Sequence, residues 1–289
     1  MPMDHVQSSQ EIYLLGGSVD LEIARLSILE RLRIENMGGV CAERNNDFTG
    51  FTRVLDLVSR TGTWALQVAR DYPELEVISL DWPGTLADIA QGQAEVQGLA
   101  NIRFHPQGSD ITRLDFPDSS FDLINASQLF SFVLPQQWPA FLKECLRITR
   151  PGGAVRFIEG EWGTTNSPAI EEFTGLFLRG LKQMGHSLSP NGRNIGVVTV
   201  LAHSLEQIGW QKVTRRAYIE EYMTGQRAPA NPQARVQLMA NTMLKPILSQ
   251  GLSTQTEVDA LLAQAVVEVA DPDFCGVATY YSFYAQKPA

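Results

Sequence analysis

A chain of 289 residues with 44% hydrophobic content is long enough for one large α/β domain with additions and a full core. Its net charge of −9, with no basic run or stripe, speaks against nucleic acid as a partner. The three cysteines, Cys41, Cys145 and Cys275, are far apart and odd in number, which fits neither a disulfide framework nor a zinc site. They read as reduced, mostly buried thiols of a cytoplasmic protein. No N-terminal basic-plus-apolar signal appears, and no apolar run approaches the roughly 20 residues that span a bilayer, so a soluble protein without a membrane partner is expected.

Residues 1 to about 10 are polar. From Ser18 or Asp20, either of which can cap a helix, Leu21, Ala24, Leu26, Ile28, Leu29 and Leu32 recur at near-helical spacing until Gly38-Gly39 stops the pattern. This helix precedes the first strand and is expected to lie across the strand ends as a partial lid, with Tyr13 before it either touching a ligand or packing in the core. The chain is thus divided into an N-terminal helical lid, 1–50, and a main domain, 51–289.

Val54, Leu55 and Leu57 give a buried-strand signal, Thr61-Gly62-Thr63 supplies loop and cap chemistry, and Leu66, Val68 and Ala69 begin an amphipathic helix. At such a strand–loop–helix junction the turn backbone and the helix N-terminal amides make a site for an anionic or zwitterionic ligand. Glu76 to Asp81 is a second apolar strand ending in a carboxylate 19 residues beyond Gly62, where nucleotide-binding α/β folds hydrogen-bond ribose hydroxyls. Trp82 next to it either stacks on an adenine face or covers the sheet edge.

Leu86 to Gln97 reads as a helix and Asn101 to His105 as a third strand. In the polar turn Gly108-Ser-Asp-Ile111, Asp110 either accepts from an adenine amine while Ile111 packs on the ring, or is a turn aspartate. Leu123 to Ala126 is a fourth strand, with Asn125 and Gln128 as candidate lining. Gln136 to Leu146 is a helix with Trp138, Phe141, Leu142 and Cys145 on its apolar face, broken by Arg150-Pro-Gly-Gly153. Ala154 to Glu159 is a fifth strand, followed by Gly160-Glu-Trp-Gly163. Strands alternating with helices call for a parallel, doubly wound α/β sheet.

Pro168 to Met184 and Val197 to Ile208 read as helices, Trp210 to Tyr222 as a strand, and Val277 to Gln286 as a β-rich run closing the chain. Between the last two lies a helical insertion, 228–270, whose Leu238, Met239, Met243, Leu244, Ile247 and Leu248 are either core or the roof of a pocket for apolar ligands.

From Arg53 to Glu159 the sequence resembles the class I S-adenosylmethionine-dependent methyltransferases. The resemblance is carried, in order, by the Asp56 turn, Asp81, Asp110, the Phe121-Asp122 entry to the fourth strand, and the helix ending in Arg150-Pro-Gly-Gly153. The flanks, Tyr13-Leu-Leu-Gly16, Gly160-Glu-Trp-Gly163, Pro190-Asn-Gly-Arg-Asn194 and Asp273-Phe-Cys-Gly276, look like a bacterial branch of methyltransferase-domain proteins. The resemblance implies a Rossmann-like sheet of seven strands with the last antiparallel. It also implies S-adenosylmethionine as cofactor at Asp56, Gly62, Asp81, Trp82, Asp110, Ile111 and Asn125. The departure is in the turn, where Val58 and Arg60 stand in place of the first two motif glycines. A non-glycine residue forced into such a conformation costs about 1–3 kcal/mol, so the turn has either relaxed with weakened or lost cofactor binding, or given Arg60 a role of its own.

Methyl transfer from a sulfonium needs positioning and desolvation, and a general base only when the acceptor must lose a proton. Glu161 and His186 are the catalytic candidates, with Tyr13, Arg60, Gln128, Trp162, Arg193 and Asn194 as substrate-lining candidates. No metal-ligand spacing is visible. The leading reading is a small-molecule methyltransferase; the alternatives are a changed chemistry on the same fold, a cyclase or lyase with or without the cofactor, and a non-catalytic binding protein. The substrate and the oligomeric state are not readable from the sequence.

Overall fold

The structure, a computed structural model, describes residues 19–57, 61–81, 85–106, 110–220 and 231–289. Contacts divide these into two compact units. The larger holds Ser18–Glu159, Val200–Arg216 and Tyr281–Ala289; the smaller holds Gly160–Thr199 and Ala217–Tyr280.

The first helix, α1, is Val19–Met37, and Gly38 and Gly39, both at positive φ, end it where the sequence expects. Strand β1 (Arg53–Asp56) leads through the motif turn to α2 (Thr63–Asp71), and then come β2 (Glu76–Asp81), α3 (Thr85–Val96) and β3 (Ile102–Pro106). After these follow β4 (Phe121–Ser127), α4 (Trp138–Ile148) and β5 (Thr149–Thr165). The helix α6 (Val197–Ile208) precedes β6 (Gln211–Glu220), and β7 (Gly276–Gln286) closes the sheet. The seven strands are ordered β3-β2-β1-β4-β5-β7-β6, with β1 to β5 parallel and the last strand antiparallel. This is the Rossmann-like methyltransferase sheet.

Differences from the sequence reading lie in the second half. Strand β5 starts five residues earlier, at Thr149, and runs on through Gly160-Glu-Trp-Gly163 to Thr165 rather than ending at Glu159. Gly160 permits this, because a Cβ there would lie 3.0 Å from the Tyr280 ring. The insertion resolves into two helices, α7 (Pro232–Ser249) and α8 (Gln255–Val269), packed with each other and with α5 (Pro168–Gln183) inside the smaller unit. Met239, Met243 and Ile247 are buried there, so the core reading accounts for them. Gly180 of α5 lets α7 approach so closely that a Cβ would sit 2.5 Å from the Pro246 carbonyl oxygen. Of the thiols, Cys41 and Cys145 are buried, but Cys275 is exposed.

One face of the sheet buries Val77, Val54, Leu123 and Ala154, one on each of β2, β1, β4 and β5 and all in register, against Ile34 of α1 and Trp64 and Val68 of α2. At the opposite end of the strands the sheet is pinned by Asp122. Its carboxylate accepts from the Thr52 and Arg53 amides at 2.8 and 2.9 Å and from Arg150 at 3.0 Å. This ties the start of β1 to β4 and β5. Among the described residues no helix is long and apolar enough to cross a membrane.

Burial opposes the Asp122 charge, but the amide bonds and Arg150 win and hold its carboxyl below the usual range. A depressed carboxyl stabilises the fold fully above its unfolded value, and that contribution is lost as pH falls through the folded value. Asp122→Asn is expected to destabilise the protein by about 1–3 kcal/mol at neutral pH. In urea titrations the gap to the parent should narrow below about pH 4; a gap that is constant from pH 7 to pH 3 would contradict the assignment.

Candidate functional site

The site is built from the sheet face just described. Two residues beyond the apolar row Val77–Val54–Leu123–Ala154, the same face of the same four strands carries Ser79, Asp56, Asn125 and Arg156, again in register. The period of two along a strand requires this, since residues i and i+2 share a face. All four are buried. An apolar row therefore gives way to a polar one at the carboxyl ends of the parallel strands, where ligands bind in open α/β sheets.

The polar row is bonded from strand to strand. The Asn125 amide nitrogen donates to Asp56 Oδ1 at 2.8 Å, and its oxygen accepts from Arg156 Nη1 at 2.8 Å. Arg156 Nε continues the chain to Glu43 Oε2 at 2.9 Å, with both side chains only 2% exposed. Burial opposes the Glu43 charge, yet the adjacent Arg156 guanidinium holds its carboxyl below the usual range. Glu43 comes from a short 3₁₀ turn, Ala42–Arg44, shortly after α1.

Past Asp56 the chain turns into α2. Gly62 caps that helix in the left-handed region at φ 69°, and no side chain caps the helix N-terminus. A glycine supplies no side-chain cap, and a helix start is where an anionic group can be accepted. Gly62 has a second reason to be glycine: a Cβ would lie 2.9 Å from Ala90 and 3.0 Å from the Phe104 ring. Beside it, Thr61 is buried, shares a hydroxyl contact with Thr63 at 2.8 Å and donates to Glu30 Oε2 at 3.2 Å. Glu30 belongs to α1, so the helix read as a lid is bonded to the turn itself.

Asp81 ends β2, paired in register with Pro106. Asp110 is exposed, and its carboxylate accepts from the Thr112 amide and hydroxyl at 2.9 and 2.5 Å, a turn aspartate's bonds; Ile111 is buried behind it. Gln128 lies at the end of β4 at φ 55°, its amide donating to Ile158. Glu159 is fully buried and accepts from the Leu129 amide at 2.7 Å. Tyr13, Arg60 and Trp82 lie outside the described residues, as does Val58.

The remaining candidates belong to the smaller unit. Glu161 is half-buried, and its two oxygens accept from the Ile195 and Gly196 amides at 2.8 Å each, directly before α6. Burial raises its pKa, opposed by those two bonds. Trp162 packs on Phe177, and His186 is buried with its amide bonded to the Leu181 carbonyl. Ser187 bonds the Asn194 and Ile195 carbonyls and closes the loop that carries Arg193 and Asn194, both exposed. The structure thus joins Glu161 to that loop. Among the described residues, no group of three or more His, Cys, Asp or Glu side chains is arranged to hold a metal.

Residues 54–153 match the family model described as "Methyltransferase domain". Two curated relatives are demethylmenaquinone methyltransferases. The protein from Beutenbergia cavernae is 36% identical over 129 residues, covering 44% of this chain and 48% of that protein; the one from Deinococcus radiodurans is 32% identical over 107 residues, covering 37% and 42%. The chain therefore spans less than half the length of these two relatives. Among solved structures, the phosphoethanolamine N-methyltransferase 2 of Haemonchus contortus superposes with a TM-score of 0.52 at 16% identity, over 88% of this chain and 52% of that one, which speaks for the fold alone. The chain is thus similar to methyltransferases over residues 54–153, and its sheet has the methyltransferase fold.

Sequence reasoning missed Glu43, Arg156, Glu159 and Ser79. Arg156 carried a signal: a lone arginine inside the apolar run Ala154-Val-Arg-Phe-Ile158 needs a buried partner. Gly62→Ala is expected to cost about 1–3 kcal/mol through its φ and its contacts. Adding Phe104→Leu, which opens space beside the new methyl, should recover part of the loss in thermal melts. A Gly62→Ala protein that melts with the parent would contradict the close packing.

Proposed function

We propose that the protein binds S-adenosylmethionine and transfers its methyl group to a small-molecule acceptor. The observation that carries this reading is the coincidence of the methyltransferase-domain match, 54–153, with the strands whose carboxyl ends hold Asp56, Asp81 and Asn125. In this reading the cofactor lies over the turn after β1. Its methionyl carboxylate faces the α2 amides, capped by a glycine, and its ribose hydroxyls meet Asp81. Asp110 and Ile111 lie near the adenine.

The chemistry is an in-line displacement: an acceptor lone pair forms a bond to the methyl carbon as the carbon–sulfur bond breaks, its electron pair staying on sulfur. The protein's task is to align acceptor and methyl and keep water out. Within the smaller unit Glu161 is partly desolvated and oriented by two amides; a general base is needed only where the acceptor is an acid such as a phenol. Two relatives are named for demethylmenaquinone, which makes quinone-type rings the first acceptors to screen. Acceptor choice is assigned to residues beyond 153, outside the matching stretch. No observation favours a cyclase, a lyase or a non-catalytic binder.

The test is calorimetric titration with S-adenosylmethionine. The parent is expected to bind, and Asp81→Ala to lose about 1.5–3 kcal/mol of affinity, a carboxylate's hydrogen bonds to the ribose. No binding by the parent would overturn the cofactor reading; equal affinities would remove Asp81 from it.

A further inference from the structure

The polar row of the sheet does more than satisfy its own members. We propose that Arg156, held by Glu43, is a positioning residue for cofactor binding: through Asn125 it fixes the orientation of the Asp56 carboxylate at the end of β1. The inference rests on the reading of that turn as the S-adenosylmethionine site.

The argument is one of donors and acceptors. A guanidinium only donates, so Arg156 Nη1 at 2.8 Å is satisfied by the carbonyl end of the Asn125 amide and not by its NH2 end. That choice turns the NH2 toward Asp56, where it donates to Oδ1 at 2.8 Å. The acceptor-only Asp56 carboxylate favours the same orientation, so without the guanidinium the amide is held from one side only. In the flipped state the Asn125 oxygen would face a carboxylate, lone pair against lone pair, and Asp56 would have to rotate away. Arg156 cannot drift either, because Nε is bound to Glu43 at 2.9 Å and Nη2 rests 4.0 Å from Met37 Sδ. Two buried charges thus set the polarity of one neutral amide, and that amide sets the carboxylate at the end of β1.

Stability alone does not call for such a pair. Replacing a whole buried ion pair with apolar groups of similar volume is often neutral or stabilising, whereas removing one partner is costly. Arg156 also lies in register with the motif acid, two residues beyond the apolar row. Its location is what the positioning role requires.

The test uses the full chain with both charges removed together, Glu43→Leu with Arg156→Met. This variant is expected to melt within a few degrees of the parent or above it, yet to bind S-adenosylmethionine about tenfold more weakly, the loss of one oriented charge-assisted contact. In an Asp56→Asn background the same pair of changes should alter affinity less than twofold, because no carboxylate is left to orient. Unchanged affinity in the folded paired variant would overturn the proposal. So would a tenfold loss that persists in the Asp56→Asn background, since the pair would then act by loosening the sheet. If the paired variant does not fold, Arg156→Lys serves: a single ammonium keeps the charge beside Glu43 without spanning both partners. It should stay folded and lose affinity in the same Asp56-dependent way, and unchanged affinity would again overturn the proposal. A cofactor-free readout separates this from the turn reading itself. By NMR the Asn125 side-chain amide protons should exchange slowly in the parent and at least tenfold faster in the paired variant. A parent that binds no cofactor overturns the turn reading; equal exchange in both proteins overturns the positioning role.

Discussion

The chain Asp56–Asn125–Arg156–Glu43 is the constraint around which the larger unit is arranged. An isolated charge at such depth costs several kcal/mol, so Arg156 and Glu43 are tolerable only as a pair. The whole chain of bonds fixes β1, β4 and β5 in one register. It also ties the turn after α1 to the middle of the sheet, because Glu43 reaches Arg156 across 113 residues of sequence.

A second set of contacts works from the other side of the turn. Gly62 packs against Ala90 and Phe104 with no space for a side chain, which sets the start of α2 against α3 and β3. Thr61 carries the bond to Glu30 of α1. The N-terminal helix is therefore linked to the site twice, by Glu30 within it and by Glu43 just after it. Motion of α1 away from the turn must break the first contact and strain the second. The helix expected to be a lid also contributes Ile34 to the core beneath the sheet.

Much of the fold was legible because it rests on local periodicity. The ends of α1, β2 and α6 follow from Gly38-Gly39, from the carboxylate at Asp81 and from the apolar spacing after Val197. What was not legible depends on pairing. The sequence reading ends the fifth strand at Glu159, yet β5 continues through Gly160 and Gly163, with Tyr280 of β7 lying over Gly160. The site divides in the same way. Asp56, Gly62 and Asp81 stand out because motif order marks them, and Asn125 was picked for its strand end alone. Its role as the link between Asp56 and Arg156 is set by strand register, and the partner of Arg156 lies on a turn that no sequence spacing connects to it. Glu161 stood out as an acid after a strand, but its bonds to the Ile195 and Gly196 amides depend on a loop more than 30 residues away.

The most direct test of this account is a crystal structure of the protein with S-adenosylhomocysteine. The account predicts adenosyl density across the carboxyl ends of β1 and β2, the ribose hydroxyls within hydrogen-bond reach of Asp81, and the Asp56–Asn125–Arg156–Glu43 chain intact beneath the ligand. Density elsewhere in the protein, or a bound ligand over a sheet in which Asn125 has turned away from Asp56, would contradict it.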